Sequence, residues 1–349
     1  MDTIRYNELN KCVSSSLRMK LEHIKRFLNQ EKASVLVGAG FSINAEKDEN
    51  FIMKDWNSLG IDFYERLYSA SPDNMFGLSP IRLASQIDAS FGRNELDEMI
   101  MDSLPDDSVN PGELHKSLLS LPWRDVFTTN YDTLLERSSL CSGRHYEVVT
   151  NKDTLLYKKS PRIIKLHGSF KNIRPFIMTE EDYRTYPQTH PEFINTVRQS
   201  LIEGVLCLIG FSGNDPNFLE WIGWLRDVMG KKAAPVYLVT CEPNIHDSEI
   251  ALATQRSIEI INLYEIFNCK ENNIKEALDF MFSYLNDTEV TEVWTGKIEL
   301  SSIKTKNELA TLTNKMRDIR NSYPGWVLLP SHYYPNFDDL INSSFAGKY

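Results

Sequence analysis

Apolar residues at Val13, Leu17, Leu21, Ile24 and Leu28 recur at helical spacing, so an amphipathic helix is predicted ahead of a strand at Ser34–Val37. That strand is apolar throughout, as expected of one buried on both faces. Its polar turn, Gly38–Ser42, leads into a polar loop at Asn44–Asn50 and then mixed helical material to about Ser103. Pro105–Pro111 reads as a loop before a helix at Glu113–Leu121. A strand running into a polar turn is predicted at Asp125–Asp132 and further strands at Tyr146–Val149, Arg162–Leu166, Val205–Ile209, Val236–Thr240 and Ile258–Ile261, with a short helix at Thr133–Ser138 and a closing helix at Ile274–Leu285. Strands alternating with helical segments predict an α/β fold, a doubly wound parallel sheet with helices on both faces. The expected organisation is an N-terminal helix over 1–32, the sheet domain over 33–287 with a helical insertion near 44–110, and a linker opening a C-terminal region over 288–349.

The segment after Val205–Ile209 carries its own helix start. Asp215 is placed to cap, Pro216 suits the first helical turn, and Gly230 suits the stop. With Trp221, Trp224, Leu225 and Val228 along it, this helix is expected to be well buried. A polar stretch follows Asn286, then a helical stretch near Leu309–Asn321 and the apolar patch Trp326–Leu329. The chain is read as the front of a longer polypeptide.

Composition narrows the function classes. With 42% hydrophobic and 25% charged residues in 349, the chain can bury one sizeable core and an accessory region. A net charge of −10 argues against a nucleic-acid partner, whose binding relies on clustered Lys and Arg. The longest apolar run, Gly204–Phe211, is far below the roughly 20 residues of a membrane helix. The charged N-terminus lacks a secretory apolar core, so a cytoplasmic location is expected. Cys12, Cys141, Cys207, Cys241 and Cys269 are widely spaced and form no Cys-x-x-Cys zinc pair. Nor do the histidines show paired metal spacing, and no metal is expected.

Four strand ends carry candidate chemistry. Gly38-Ala39-Gly40 permits a tight turn with backbone N–H groups near a pyrophosphate, although Ile43 replaces the third glycine of G-x-G-x-x-G and a plain strand-ending turn explains it equally. Ser42 could bond a phosphate or cap the following turn. Asn130 stands before a helical stretch in which Asp132 and Thr133 offer alternative caps, Thr133 with Glu136 as a possible capping box. Asn130 is thereby freer to serve a ligand. His167, at the end of an apolar strand and followed by Gly168, can act as a base near neutral pH or be structural. Gly210-Phe211-Ser212-Gly213-Asn214-Asp215 could contact phosphate or ribose, or serve only as the turn into a capped helix. Trp56, Tyr131, Trp221 and Trp224 read as core.

The order GAGFS, TTNYD, KLHG, GFSGND resembles the sirtuin-like (silent information regulator two-like) domain family across roughly Ser34–Leu285. The resemblance implies a Rossmann-like domain that holds NAD. It assigns Gly38, Ala39, Gly40 and Ser42 to the pyrophosphate turn, Asn130 to the nicotinamide ribose, Asp132 as its acidic neighbour, His167 as general base, and Gly210 and Ser212 to a later dinucleotide contact. Protein-deacylating members carry a four-cysteine zinc module and a Gly-Ile-Pro-Asp-Phe-Arg-like segment, and this chain matches neither. The Thr-Thr-Asn-Tyr-Asp and Gly-Phe-Ser-x-x-Asp forms look instead like sirtuin-like domains of bacterial antiphage defence proteins. That subgroup implies NAD as substrate, hydrolysed to nicotinamide and ADP-ribose to starve an infected cell, in a homo-oligomer or with a C-terminal sensor or partner answering a phage-derived trigger. An NAD or ADP-ribose sensing module without turnover is the alternative, and a protein deacylase is disfavoured by the missing cysteines.

Overall fold

A computed structural model describes residues 1–47, 54, 56–72, 78–104, 106–171, 175–230, 233–267, 274–286 and 305. The chain divides into two units, Met1–Asp287 and Thr288–Tyr349. The helix expected at Leu309–Asn321 and the patch at Trp326–Leu329 lie outside the described residues, as does Cys269.

In chain order the first unit contains α1 (Thr3–Cys12), α2 (Ser15–Asn29), β1 (Ala33–Val37), α3 (Ala39–Ser42), β2 (Glu46–Lys47), α4 (Trp56–Tyr68), α5 (Pro80–Phe91), α6 (Arg93–Ser103), β3 (Val109–Asn110), α7 (Glu113–Ser120), β4 (Asp125–Thr128) and α8 (Leu134–Ser139). There follow β5 (Glu147–Val149), α9 (Lys152–Tyr157), β6 (Arg162–Lys165), α10 (Glu180–Thr189), α11 (Pro191–Glu203), β7 (Val205–Ile209), α12 (Pro216–Met229), β8 (Val236–Thr240), α13 (Asp247–Gln255), β9 (Ile258–Asn262) and α14 (Ile274–Asn286). Seven strands pair in the order β5-β6-β4-β1-β7-β8-β9, every pair parallel, while β2 and β3 form a short antiparallel ribbon.

Strand parity divides the core into two layers. Val35, Val37, Val126, Ile163, Cys207 and Ile209 face a cluster with Leu17, Leu21 and Ile24 of α2, Leu118 of α7 and Phe280 of α14. Leu36, Phe127, Ile164, Leu206 and Leu208 face the other way, against Ile194 of α11 and Phe218 and Trp221 of α12. Both faces of the sheet are covered, which is why its central strands are apolar throughout. A third cluster joins α4, α5 and α6 to Tyr131, Phe176 and Met178, seating these helices beside the β4 and β6 strand ends.

Two details differ from the pattern reading. The single N-terminal helix is two, because Ser14 leaves helical geometry and its hydroxyl accepts from Leu17 N at 3.1 Å to start α2 afresh. Helix α12 begins and stops as read, with Asp215 accepting from Phe218 N at 3.0 Å and Gly230 at its end. It is half-buried rather than enclosed: Val228 is 57% exposed.

The strand order fixes where a ligand can enter. From β1 the sheet grows through β4, β6 and β5 to one side and through β7, β8 and β9 to the other. The crevice at the carboxyl end of β1 is therefore the topological switch point, where open α/β sheets bind ligands.

Candidate functional site at the sheet switch point

The ends of β1 and β7 interlock through glycines. Gly38 N donates to Ile209 O at 3.0 Å and Gly40 N to Gly210 O at 3.0 Å. A Cβ on Gly38 would overlap Gly210 O, and one on Gly210 would overlap Phe41 N. Gly210 also holds φ +62°, a conformation that favours glycine. Close backbone approach between the two strand ends thus explains these glycines in part, and both donors on β1's turn serve β7. Ala39 and Gly40 are exposed on the rim, while Ser42 is buried at the end of α3.

Ser42 meets the β4 strand end. Its Oγ accepts from Asn130 Nδ2 at 2.9 Å and donates to Asp132 Oδ2 at 2.7 Å, so hydroxyl and amide are oriented as one chain. The backbone holds the same loop: Thr128 Oγ1 donates to Val37 O at 2.9 Å and accepts from Asn130 N at 3.1 Å. Asn130 Oδ1 is buried with no hydrogen-bond partner among the described residues. A buried acceptor left open is costly unless a donor fills it.

Beneath this loop lies a buried cation. Lys165, 1% exposed on β6, donates from Nζ to the Asp132 carbonyl and pairs with Glu136 Oε1 at 3.1 Å. Burial pushes the Glu136 carboxyl up, and the Lys165 ammonium opposes that shift. The capping box expected of Thr133 and Glu136 does not form. Thr133 instead donates to Asp106, Glu136 is taken by Lys165, and Asp132 Oδ1 accepts from Leu134 N at 3.2 Å.

His167 stands two residues beyond β6, as Asn130 stands two residues beyond β4. Thr128 on β4 pairs with Lys165 on β6, and each site residue lies two positions further on. Its carbonyl accepts from Ile177 N at 3.1 Å, and Gly168 turns the chain at φ +103°. The ring is buried among the Tyr183 and Tyr186 rings, edge-on with centroids at 5.5 and 5.7 Å. Nε2 lies 3.4 Å from Asn217 Nδ2 on α12. Burial lowers the imidazole below its ordinary range; Asp215 and Asp182 pull it up, and His190 pushes it further down. The ring is therefore neutral near pH 7, as a proton acceptor must be.

The structure thus brings Ser42, Asn130, Asp132 and the Gly38–Gly40 turn together with Gly210 at the switch point. Ser212 sits apart from that hydrogen-bonded group, exposed, accepting from Asn214 N at 3.3 Å. Three neighbours lay outside the sequence reading. Lys165 closes β6 two residues before His167 but turns to the other side, toward Asp132 and Glu136, while His167 meets α10 and α12. Asn217 reaches His167 from 50 residues away. His115 on α7 packs on Phe41 at a ring distance of 4.9 Å and is pushed down to about 4, first by burial, against the pull of Asp132. Among the described residues no group of three or more His, Cys, Asp or Glu is placed to hold a metal ion, and no helix is long and apolar enough to cross a membrane.

Residues 124–261, which hold Asn130, Asp132, His167 and Gly210, match the SIR2-like domain family. The chain carries a SIR2-like domain related to those of defence-associated sirtuins and ThsA NAD(+) hydrolases. It is 22% identical over 284 residues to defense-associated sirtuin 2 of Bacillus subtilis, covering 76% of this chain and 28% of that protein. It is 26% identical over 245 residues to the NAD(+) hydrolase ThsA of Enterococcus faecium, covering 65% of this chain and 48% of that one. The matches therefore span less than half the length of either relative. A solved Sir2 homologue in complex with ADP-ribose superimposes with a TM-score of 0.41 at 13% identity, over 74% of this chain and 95% of that chain.

Proposed function

We propose that the chain hydrolyses the nicotinamide–ribose bond of NAD to give nicotinamide and ADP-ribose, as the effector of an antiphage system that depletes NAD. The observation that carries this reading is the open Oδ1 of buried Asn130, oriented by Ser42 beside the strand that presents a neutral His167. Two relatives named as NAD(+) hydrolases or defence-associated sirtuins support the substrate.

Nicotinamide departs from a cationic pyridinium, so no acid is needed at the leaving group. The demands are placement of the ribose and a base for a hydroxyl proton. Asn130 Oδ1 accepts from a ribose hydroxyl or from the attacking water. His167 takes the proton, from a ribose hydroxyl or from that water. Asp132 fixes the Ser42 hydroxyl so that the Asn130 amide keeps one orientation. The exposed turn at Ala39 and Gly40 flanks the pyrophosphate, with Gly210 and Ser212 on the β7 side. Residues 1–32 and 33–287 form the catalytic unit in this reading, 288–349 lead to the sensing or assembly region, and the reaction requires no metal.

The test is nicotinamide release from NAD by the purified chain beside Asn130→Ala and His167→Ala, with folding matched by circular dichroism. A positioned base is worth about 10²- to 10⁴-fold, and losses of that size are expected in both variants. Binding of NAD with no release would favour a sensing module, and unchanged release in both variants would remove the proposed site.

A further inference from the structure

Asn217 has no part in the reading above, yet it is the side chain that meets the His167 ring nitrogen. It sits second in α12, directly after Pro216 and the capping Asp215, so its backbone is fixed by the helix start. Its side chain is 2% exposed. Its Nδ2 lies 3.4 Å from Nε2, a long hydrogen bond. An amide nitrogen can only donate, so that contact requires an unprotonated Nε2 and a proton on Nδ1.

We propose that Asn217 is a positioning residue that holds the His167 ring with its Nε2 lone pair free of a proton and ready to accept one. The inference rests on the reading of His167 as the base. A carboxamide suits the task better than a carboxylate or a hydrocarbon. It donates from Nδ2 to the neutral ring, and after proton transfer its Oδ1, brought round by rotation, accepts from the new Nε2–H. The charge on Asn217 is zero throughout, so neither ring state is trapped. A long bond also yields readily when a substrate hydroxyl approaches the same lone pair.

The remaining groups around the ring cannot take this place. On α10 the Tyr183 hydroxyl donates to Asp215 Oδ2 at 3.0 Å and the Tyr186 hydroxyl to Leu166 O at 2.8 Å, so both are occupied, and both rings meet the imidazole edge-on. Asp182 is taken up by Arg93 and by the N–H groups of Met178 and Thr179. Asp215 caps α12 and accepts from Tyr183. His190, at the α10–α11 junction, bonds Thr189 Oγ1 through Nδ1 at 2.8 Å and stacks on Tyr186. These charges bias the ring electrostatically, and Asn217 alone among them reaches Nε2.

The experiment is ¹⁵N NMR of the full chain labelled at histidine, with His167→Gln assigning the signal, followed across pH in wild type, Asn217→Asp and Asn217→Leu. Asn217→Asp is nearly isosteric, and circular dichroism checks that it is folded before its ring signals are compared. Wild type is expected to show the Nδ1–H tautomer at neutral pH. Asn217→Asp should raise the ring's titration midpoint by about one pH unit or more, the effect of a carboxylate close to an imidazolium, and Asn217→Leu should lose the tautomer preference. The acid limb of nicotinamide release should move up in pH with the Asn217→Asp midpoint. An unchanged His167 tautomer and midpoint in both variants would overturn the inference. The NMR readout needs no turnover, so ring signals that shift in a protein releasing no nicotinamide would support Asn217's role while counting against NAD cleavage.

Discussion

Asn130 donates from Nδ2 to Ser42 Oγ at 2.9 Å across 88 positions of sequence, and the Ser42 hydroxyl in turn donates to Asp132 Oδ2 at 2.7 Å. The amide is therefore oriented, its nitrogen engaged and its buried oxygen without a partner among the described residues. Ser42→Ala would leave two buried polar groups without a partner. We expect a stability loss of about 1–3 kcal/mol. Release of nicotinamide should fall by roughly 10- to 100-fold, the equivalent of about 1.4 to 2.7 kcal/mol of barrier. Full turnover in a folded but less stable Ser42→Ala protein would make the chain structural only.

His167 predicts a pH profile. Catalysis as a base needs the neutral ring, and burial lowers its protonation below the ordinary range. The acid limb of kcat/KM should therefore have its midpoint below pH 6.5, the unperturbed imidazole value. Stability carries the same sign. Below pH 6.5 the unfolded chain binds a proton that the folded ring resists, so stability falls with pH from 6.5 down through the folded value. Urea midpoints across this window should fall more steeply for wild type than for His167→Gln. An acid limb above 6.5 would contradict the burial of this ring.

Much of the scaffold could be read from the chain because its signals are local. Continuous apolar strands, the turn glycines and the Asp215-Pro216 helix start each act within a few residues. The site's wiring is not local. Thr133 and Glu136 have capping-box spacing, but Asp106 and Lys165 hold them instead. Lys165 looks out of place in a buried parallel strand until the Asp132 carbonyl and Glu136 are placed around it. The start of α1 is set by Asp2 accepting from Arg5 N at 2.8 Å, in a segment whose apolar residues define only a weak face. Asn217 has a neighbouring cap, proline and helix, and nothing close in sequence points to His167.

Gly210 tests the interlock between β1 and β7. Alanine there meets two penalties together, a positive φ and overlap with Phe41 N. Each unfavourable backbone state costs of order 1–3 kcal/mol. The expected outcome for Gly210→Ala is a drop in Tm together with lost NAD binding, because the glycine turn must move to relieve the overlap. Gly213→Ala is the control: φ is +72° there as well, but nothing lies within 4 Å of the added carbon. It should lower stability less and leave NAD binding in place. Equal binding losses in the two variants, measured by calorimetry, would show that φ and not the strand interlock decides.

The Lys165–Glu136 pair separates support of the loop from its chemistry. Both side chains are deeply buried, at 1% and 14% exposure. Removing one partner strands the other's charge, whereas removing both leaves an apolar core. Lys165→Met should therefore cost about 3–5 kcal/mol, and the double variant with Glu136→Leu considerably less. Stability recovered in the double variant does not restore the donor on the Asp132 carbonyl. If that donor only helps the protein fold, nicotinamide release returns with stability. If it sets the loop that carries Asn130, as the geometry indicates, the double variant melts near wild type and remains slow, by roughly tenfold or more, about 1.4 kcal/mol of barrier. Denaturation midpoints and turnover measured on the same four proteins decide between the two.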